Sequence, residues 1–165
     1  MPDINKSGNS REMKTKHLVW WVIGGILLVA ILGFAYYAIS PLFRTIVVNE
    51  EAPAAFGPKT ADAAEVVGTV GHPGSGFARI VRTEGTAYVR YENLKTINGP
   101  DLYVYLSKDL DAKEHISLGR LKATEGNVNY EIPAGIDPAE YRYVLIWCRM
   151  FGVLFNSADL SLSIQ

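Results

Sequence analysis

Hydrophobic residues are concentrated in one uninterrupted run near the N-terminus. The sequence LVWWVIGGILLVAILGFAYYAI, from Leu18 to Ile39, contains no charged residue. As an α-helix it would measure about 33 Å, enough to cross a hydrocarbon core of about 30 Å. A core helix of a soluble protein rarely runs this long without a polar face. The pattern therefore predicts a transmembrane helix over 18–39, in preference to a core helix or a cleaved signal peptide.

The flanks of this run predict its orientation. Basic residues are more frequent before the run than between its end and Thr60. They are Lys6, Arg11, Lys14 and Lys16 before the run, and Arg44 and Lys59 after it. The positive-inside rule then places residues 1–17 in the cytoplasm, as a short tail, and the rest of the chain outside. We expect a single-pass protein of the cell membrane with an extracytoplasmic C-terminal domain.

The C-terminal part of the chain shows a second pattern, with apolar and polar residues alternating in short runs. Ala87–Tyr91, Leu102–Leu106 and Val128–Ile132 have a period of two, which is typical of half-buried strands. Turn signals separate the runs at Glu84-Gly85, Asn98-Gly99-Pro100 and Glu125-Gly126. The pattern predicts an all-β domain over 64–165, an antiparallel β-sandwich or barrel.

Two further segments have a recognisable composition. Residues 40–63 are rich in proline and alanine, which favours an extended extracytoplasmic linker. Asp137 followed by Pro138 has the form of a capping residue before the first helical position, and predicts one short helical turn.

The segment YVLIWCRMFGVLF, from Tyr143 to Phe155, is apolar at both odd and even positions and holds the only cysteine, Cys148. We expect a central strand covered on both faces and interrupted at Gly152. An unpaired cysteine outside the cytoplasm is either a packed core residue or a reactive thiol. Arg149 would favour the thiolate, but adjacent strand residues point to opposite faces. Both interpretations of the cysteine stay open at this point.

Few residues could join Cys148 in a metal site. Met150 could share its face of the strand, and His72 lies in a glycine-rich turn. The two alternatives are therefore a soft-metal cofactor such as copper and no cofactor at all. His115 is expected in an exposed loop. The chain has no HExxH, paired CxxC, CxxCH or Walker-type motif, and nothing in it indicates a hydrolase or a transferase.

Charge argues against one class of partner. From Ala64 onward the chain has 10 Lys or Arg and 12 Asp or Glu, which does not suit a nucleic-acid-binding surface. Arg79, Arg82 and Arg90 are expected on a solvated strand face. Most tyrosines of the domain are expected to cover its core, and an aromatic binding surface or electron-hopping path is the alternative. They are Tyr88, Tyr91, Tyr103, Tyr105, Tyr130, Tyr141 and Tyr143.

Several segments resemble one family in order. They are GHPGSGFARIVRTEGTAYVRYENL (71–94), INGPDLYVYLS (97–107), SLGRLKATEGNVNYEIP (117–133) and YVLIWCRMFGVLFNSADL (143–160). Together they resemble the DM-thirteen domain, a small module that occurs beside DOMON domains in Skeletor-type proteins and alone in many prokaryotic membrane-anchored proteins. The resemblance covers nearly the whole predicted β-domain.

The resemblance implies an all-β domain with a redox or electron-transfer role centred on Cys148, and Trp147 and Phe151 are its neighbours in the motif. The resemblance assigns no haem or metal ligand to a position of this chain. Because the sequence shows no DOMON domain and no strong ligand cluster, any electron donor is expected to be another protein. The alternative function is a non-enzymatic cell-surface interaction or adhesion module with a structural, buried cysteine.

Overall fold

The computed structural model describes residues 8–40, 44–54 and 63–162, and the chain divides into two compact units after Ser40. The first unit contains one helix, α1 (Gly8–Ile39). Its segment His17–Tyr37 has a mean hydropathy of 2.5 and is not buried by other parts of the protein. The helix is long and apolar enough to cross a membrane, as both an anchor and a signal sequence can be. Part of the expected tail is helical, because α1 begins at Gly8.

The second unit, which we call the β-domain, consists of strands and short turns. The strands are β1 (Val47–Asn49), β2 (Ala64–Glu65), β3 (Val67–Gly68), β4 (Gly74–Arg82), β5 (Ala87–Thr96), β6 (Leu102–Ser107), β7 (His115–Arg120), β8 (Glu125–Ile132), β9 (Tyr143–Cys148) and β10 (Val153–Asp159). The predicted all-β class is confirmed. The predicted helical turn is also present at Pro138–Glu140, where the Ala139 N–H donates to the Asp137 carboxylate at 3.0 Å.

The strands form two five-stranded sheets. The first sheet has the order β1-β8-β5-β4-β2 and the second has the order β3-β10-β9-β6-β7. All pairings are antiparallel except β1 with β8, which is parallel. Two separate sheets fit the sandwich that the alternation predicts rather than a closed barrel. The chain passes from the first sheet to the second at Val66, between β2 and β3.

The core lies between the two sheets. The first sheet contributes Val89, Tyr91, Leu94, Val128 and Tyr130, and the second contributes Val104, Leu106, Val144, Ile146 and Cys148. Four of the seven tyrosines of the domain are buried, and the other three are half-buried. Burial also raises the pKa of Tyr130 to about 12. Tyr91, Tyr130 and Tyr141 belong to the core between the sheets, whereas Tyr88, Tyr103, Tyr105 and Tyr143 do not, so fewer tyrosines cover this core than the sequence predicts.

The sequence analysis placed 40–63 in a linker, whereas the structure places β1 within that range in the first sheet. Val48 pairs with Gly126, and a Cβ on Gly126 would lie 2.1 Å from the Val48 carbonyl oxygen. Only glycine permits this approach, with φ +112°. The prediction of a turn at Glu125-Gly126 is wrong, because these residues begin β8 and the glycine serves a close backbone contact instead.

Arg90 is also placed differently from the solvated face that the sequence predicts. Its side chain is buried on the first sheet, where its Nε donates to Glu92 at 2.9 Å and its Nη1 to the Asn129 side chain at 2.8 Å. Arg79 is mostly buried as well and donates to the same carboxylate at 2.6 Å. The segment after β1 adds the Glu50 carbonyl oxygen, 3.3 Å from Arg90. Only Arg82 is exposed as expected.

The β-domain has two ends, defined by the segments between strands. The near end, where Arg44 leads into β1, consists of 44–46, 69–73, 97–101, 121–124 and 149–152. The far end consists of 83–86, 108–114 and 133–142. Cys148 is the last residue of β9 and therefore lies towards the near end.

Candidate functional site

Cys148 is fully buried. It pairs with Leu102 of β6 on one side and Val153 of β10 on the other, and it has no exposed surface. Its side chain belongs to the core cluster with Leu102 and Phe155. The thiol has no hydrogen-bond partner among the described residues. Beyond it, the Arg149 N–H donates to the Asp101 carbonyl oxygen at 3.0 Å, which closes the end of the strand pair.

Trp147 lies on the opposite face of the sheet from Cys148, because successive strand residues alternate. It is half-buried and pairs with Tyr103 of β6 and Leu154 of β10. The Arg149 guanidinium lies 4.4 Å from the centre of the Tyr103 ring on this outer face. The cation that follows the cysteine in sequence is therefore directed to an aromatic ring on the other face.

Trp147 is part of an aromatic cluster on the outer face of the second sheet. We call this cluster the aromatic face and define it as Tyr103, Tyr105, His115, Tyr143 and Trp147. Tyr105 is buried, Tyr103, Tyr143 and Trp147 are half-buried, and His115 is exposed. Tyr105 stacks on His115 with ring centres 4.0 Å apart. Burial raises the pKa of Tyr105. The face combines large apolar area with polar ring atoms, a composition that suits contact with another molecule.

His115 does not lie in a loop, as the sequence analysis expected. It is exposed, but it is the first residue of β7, and its Nδ1 is 2.7 Å from the Ala112 carbonyl oxygen. The residues before His115 are polar and have the composition of a solvated loop. The aromatic ring that stacks on His115 belongs to Tyr105, ten positions earlier, so no local pattern reveals the contact.

Met150 and Phe151 lie outside the core. β9 ends at Cys148, and the two residues occupy a tight turn, 149–152, that leads into β10. Their exposed fractions are 62% and 68%. The expected continuation of one strand through Met150 is not observed, so Met150 does not share a buried face with Cys148. Phe151 follows Cys148 by three positions and lies on this exposed turn.

His72 is held by contacts of its own. Its ring stacks on Phe155, with centres 3.9 Å apart, and its Nδ1 is 3.1 Å from the Thr69 hydroxyl. Phe155 belongs to the same core cluster as Cys148. His72 therefore borders the apolar region that contains Cys148. The His72 carbonyl oxygen also accepts from the Asn156 side chain at 3.1 Å.

These positions do not fit a soft-metal site built from Cys148, Met150 and His72. Met150 points out from a surface turn, His72 is engaged with Phe155 and Thr69, and the thiol is enclosed by apolar side chains. Among residues 8–40, 44–54 and 63–162, no three His, Cys, Asp or Glu side chains are grouped closely enough to hold a metal ion.

Asn156 is a buried polar residue that the sequence analysis missed. It has no exposed surface, donates to the His72 carbonyl oxygen and contacts the Thr96 hydroxyl of the first sheet. A Cβ on Gly74 would lie 2.1 Å from its amide nitrogen, so the glycine makes room for it. The polar residue in an apolar strand was the available signal, since a buried amide needs partners. Asn156 therefore links the two sheets beside the region that contains Cys148.

The fold and this site define a β-sandwich with a single buried cysteine and an open aromatic face. The sequence model of the family described as Electron transfer DM13 matches residues 67–160, more than half of the chain. The protein therefore belongs to the electron transfer DM13 family, as the motifs indicated. No curated protein and no solved structure matches the chain.

Proposed function

We propose that this protein is a single-pass membrane protein that presents an electron-transfer domain outside the cytoplasm. The observation that carries this proposal is the match to the electron transfer DM13 family across the β-domain. The apolar helix supports membrane attachment, and the excess of basic residues before it supports a cytoplasmic N-terminus. Intact cells test the orientation: a protease added outside should remove a tag inserted in loop 108–114 and spare a tag at the N-terminus.

Cys148 is the redox position in this proposal, and Trp147 is the residue through which a partner reaches it. The two are adjacent in the chain, and Trp147 faces outwards on the aromatic face. Thiol exchange needs direct contact between sulfur atoms, which the burial of Cys148 prevents. A single electron needs no such contact. A partner docked on the aromatic face could therefore exchange electrons with a group in the layer beneath.

The step is a one-electron oxidation. The Cys148 thiol would give one electron to a strongly oxidising centre of a partner protein, such as a high-valent haem, and its proton to water, which leaves a thiyl radical. A reduced haem or copper centre would return the electron, and solvent the proton. Because the thiol lacks a hydrogen-bond partner among the described residues, the proton transfer requires local opening at the end of β9.

The test uses the full chain in membranes with hexachloroiridate(IV), a strong one-electron oxidant. We expect the wild-type protein to consume one oxidising equivalent more than Cys148→Ala, in which the other oxidisable side chains are retained. Val104→Ala is the matched control, because it removes a buried side chain from the neighbouring strand and keeps the thiol. If the wild-type protein consumes no oxidant, or if Cys148→Ala consumes as much, the cysteine is not the redox position.

A second candidate function is a cell-surface interaction module whose cysteine only fills the core. The specific observation in its favour is that Cys148 has no exposed surface and no polar contact among the described residues. It predicts that iodoacetamide labels the thiol only in denaturant, and that Cys148→Ala leaves partner binding unchanged. Labelling of the native thiol would contradict this second candidate.

A further inference from the structure

Two loops at the near end of the β-domain expose apolar side chains beside each other. Val70 is fully exposed, and Met150 and Phe151 are 62% and 68% exposed. The loops are neighbours, because the Thr69 N–H donates to the Phe155 carbonyl oxygen at 3.0 Å and its hydroxyl to the Leu154 carbonyl oxygen at 2.9 Å. Exposed apolar side chains grouped in this way mark a surface that contacts another molecule or a membrane.

The near end also differs from the far end in charge. Its segments carry three basic residues, Arg44, Lys122 and Arg149, against one acidic residue, Asp101. The far end carries three basic residues against six acidic ones. The far-end residues are Lys108, Lys113 and Arg142, with Glu84, Asp109, Asp111, Glu114, Asp137 and Glu140. Within the described β-domain, the near end combines a group of exposed apolar tips with an excess of basic residues, whereas the far end has one exposed apolar tip, Leu110, and an excess of acidic residues.

Arg149 is well placed to contact an anionic partner. It is exposed, it lies over the Tyr103 ring, and its side chain has no carboxylate partner among the described residues. By contrast, Arg142 at the far end is paired with Asp159 at 2.7 Å. The positive charge beside Phe151 is therefore not neutralised within the described part of the chain.

The chain reaches the β-domain at this same end. The Arg44 carbonyl oxygen accepts from the Asn98 side chain at 3.1 Å, and the Ile46 N–H donates to the Thr124 hydroxyl at 2.8 Å. Helix α1 ends at Ile39, five residues before Arg44. Few residues therefore separate the apolar helix from the first residue of the near end in the sequence.

We propose that the near end of the β-domain contacts the bilayer surface, with Val70, Met150 and Phe151 inserted among the lipid headgroups and Arg149 and Arg44 bound to anionic lipids, whereas Lys122 is already paired with Glu50. Aromatic and apolar tips beside basic residues suit this interface, which attracts cations to its phosphates. The inference rests on the membrane-anchor part of the proposed function and is independent of the redox role.

The test is depth-dependent quenching in the full chain. Phe151→Cys in a Cys148→Ala background is labelled with a nitrobenzoxadiazole fluorophore and reconstituted in vesicles of phosphatidylcholine and phosphatidylserine in equal parts. We expect a blue-shifted emission and strong quenching by lipids that carry a nitroxide near the headgroup. Leu110→Cys in the same background is the matched control, because it labels an exposed apolar position in loop 108–114 at the far end. This control should stay unquenched.

Flotation of the vesicles separates the two possible failures. If the full chain does not float with the vesicles, it is not anchored in the membrane, and the proposed lipid contact is rejected together with the anchor. If the chain floats but position 151 is quenched no more than position 110, this inference alone is overturned, and the apolar tips serve a protein partner that pure lipid vesicles lack. Strong quenching at 151 that Arg149→Gln reduces supports the assigned contact with anionic lipid.

Discussion

On the outer face of the first sheet, Arg79 and Arg90 converge on Glu92. The segment after β1 adds the Glu50 carbonyl oxygen beside Arg90, and the Glu50 carboxylate accepts from the Asn129 N–H. On the outer face of the second sheet, cations lie over exposed or half-buried aromatic rings that no described segment covers. The chain thus completes one face with its own residues and leaves the other open. The difference indicates which face is available to a partner, and the ion pairs of the two faces should differ in their contribution to stability.

The largest effect is expected where the covered face is broken. Arg90→Ala would leave the Asn129 side-chain oxygen and the Glu50 carbonyl oxygen without their donor, while Glu92 keeps Arg79. Because each unsatisfied buried acceptor costs about 1–3 kcal/mol, we expect a loss of about 3 kcal/mol. The free energy of unfolding of the full chain in detergent, from urea titration, measures this loss. Arg82→Ala is the control, because its exposed pair with Asp137 should be worth less than about 1 kcal/mol. Similar losses in both variants would contradict the contrast.

The second-largest loss of stability is expected in the core layer between the two sheets. Cys148→Ala should lower the free energy of unfolding by about 1 kcal/mol, as expected for a small cavity. Cys148→Ser should cost more, about 2 kcal/mol, because the hydroxyl would be buried without a hydrogen-bond partner among the described residues. The same urea titration compares the two variants. A serine variant as stable as the alanine variant would show that water reaches position 148, contrary to its burial in the structure.

A smaller, pH-dependent effect is expected from the exposed ion pair of the second sheet. The Arg142 guanidinium lowers the pKa of Asp159 to about 2, from its usual value of 3.8. Because the folded-state pKa is depressed, the stabilisation is present above about pH 4 and is lost as the pH falls towards 2. Solvent screening limits it to about 1 kcal/mol or less.

Unfolding titrations between pH 7 and pH 2 measure the difference between wild type and Asp159→Asn. That difference should be constant down to about pH 4 and vanish below pH 2. A difference that does not change with pH would mean that Asp159 acts through packing rather than through its charge.

The smallest effect should come from the open aromatic face. Arg149→Gln removes a cation over Tyr103, an exposed contact worth about 0.5 kcal/mol. Urea titration should therefore find the variant almost as stable as wild type, with Arg149→Lys closer still. A loss comparable with that of Arg90→Ala would mean that this face is structural rather than open.

The strands could be predicted because their residues alternate in polarity. Leu102–Leu106 and Val128–Ile132 each pack one face on the core, and burial alone makes that pattern visible in the sequence. The three residues of β1 could not be predicted, since Val47-Val48 is too short for a periodic pattern and its neighbours have a linker-like composition. Its stability comes from β8, a partner far along the chain.

The site was predictable only in part. The resemblance identified the family. The lack of alternation in Tyr143–Cys148 predicted a central strand covered on both faces; β9 is central in its sheet, but Tyr143 and Trp147 on its outer face are only half-buried. The turn at 149–152 could not be separated from the strand, because Met150 and Phe151 are as apolar as core residues. The burial of Arg90 and the role of Asn156 depend on partners from distant segments, which no local pattern reveals.

The parallel strand β1 has a practical consequence for anyone who shortens this chain. The family match starts at Val67, whereas β1 ends at Asn49, so a fragment cut to the matched region would leave the border of β8 with unpaired backbone groups. Unpaired strands of this kind recruit further copies and aggregate. A recombinant β-domain that is to remain monomeric should therefore begin no later than Arg44.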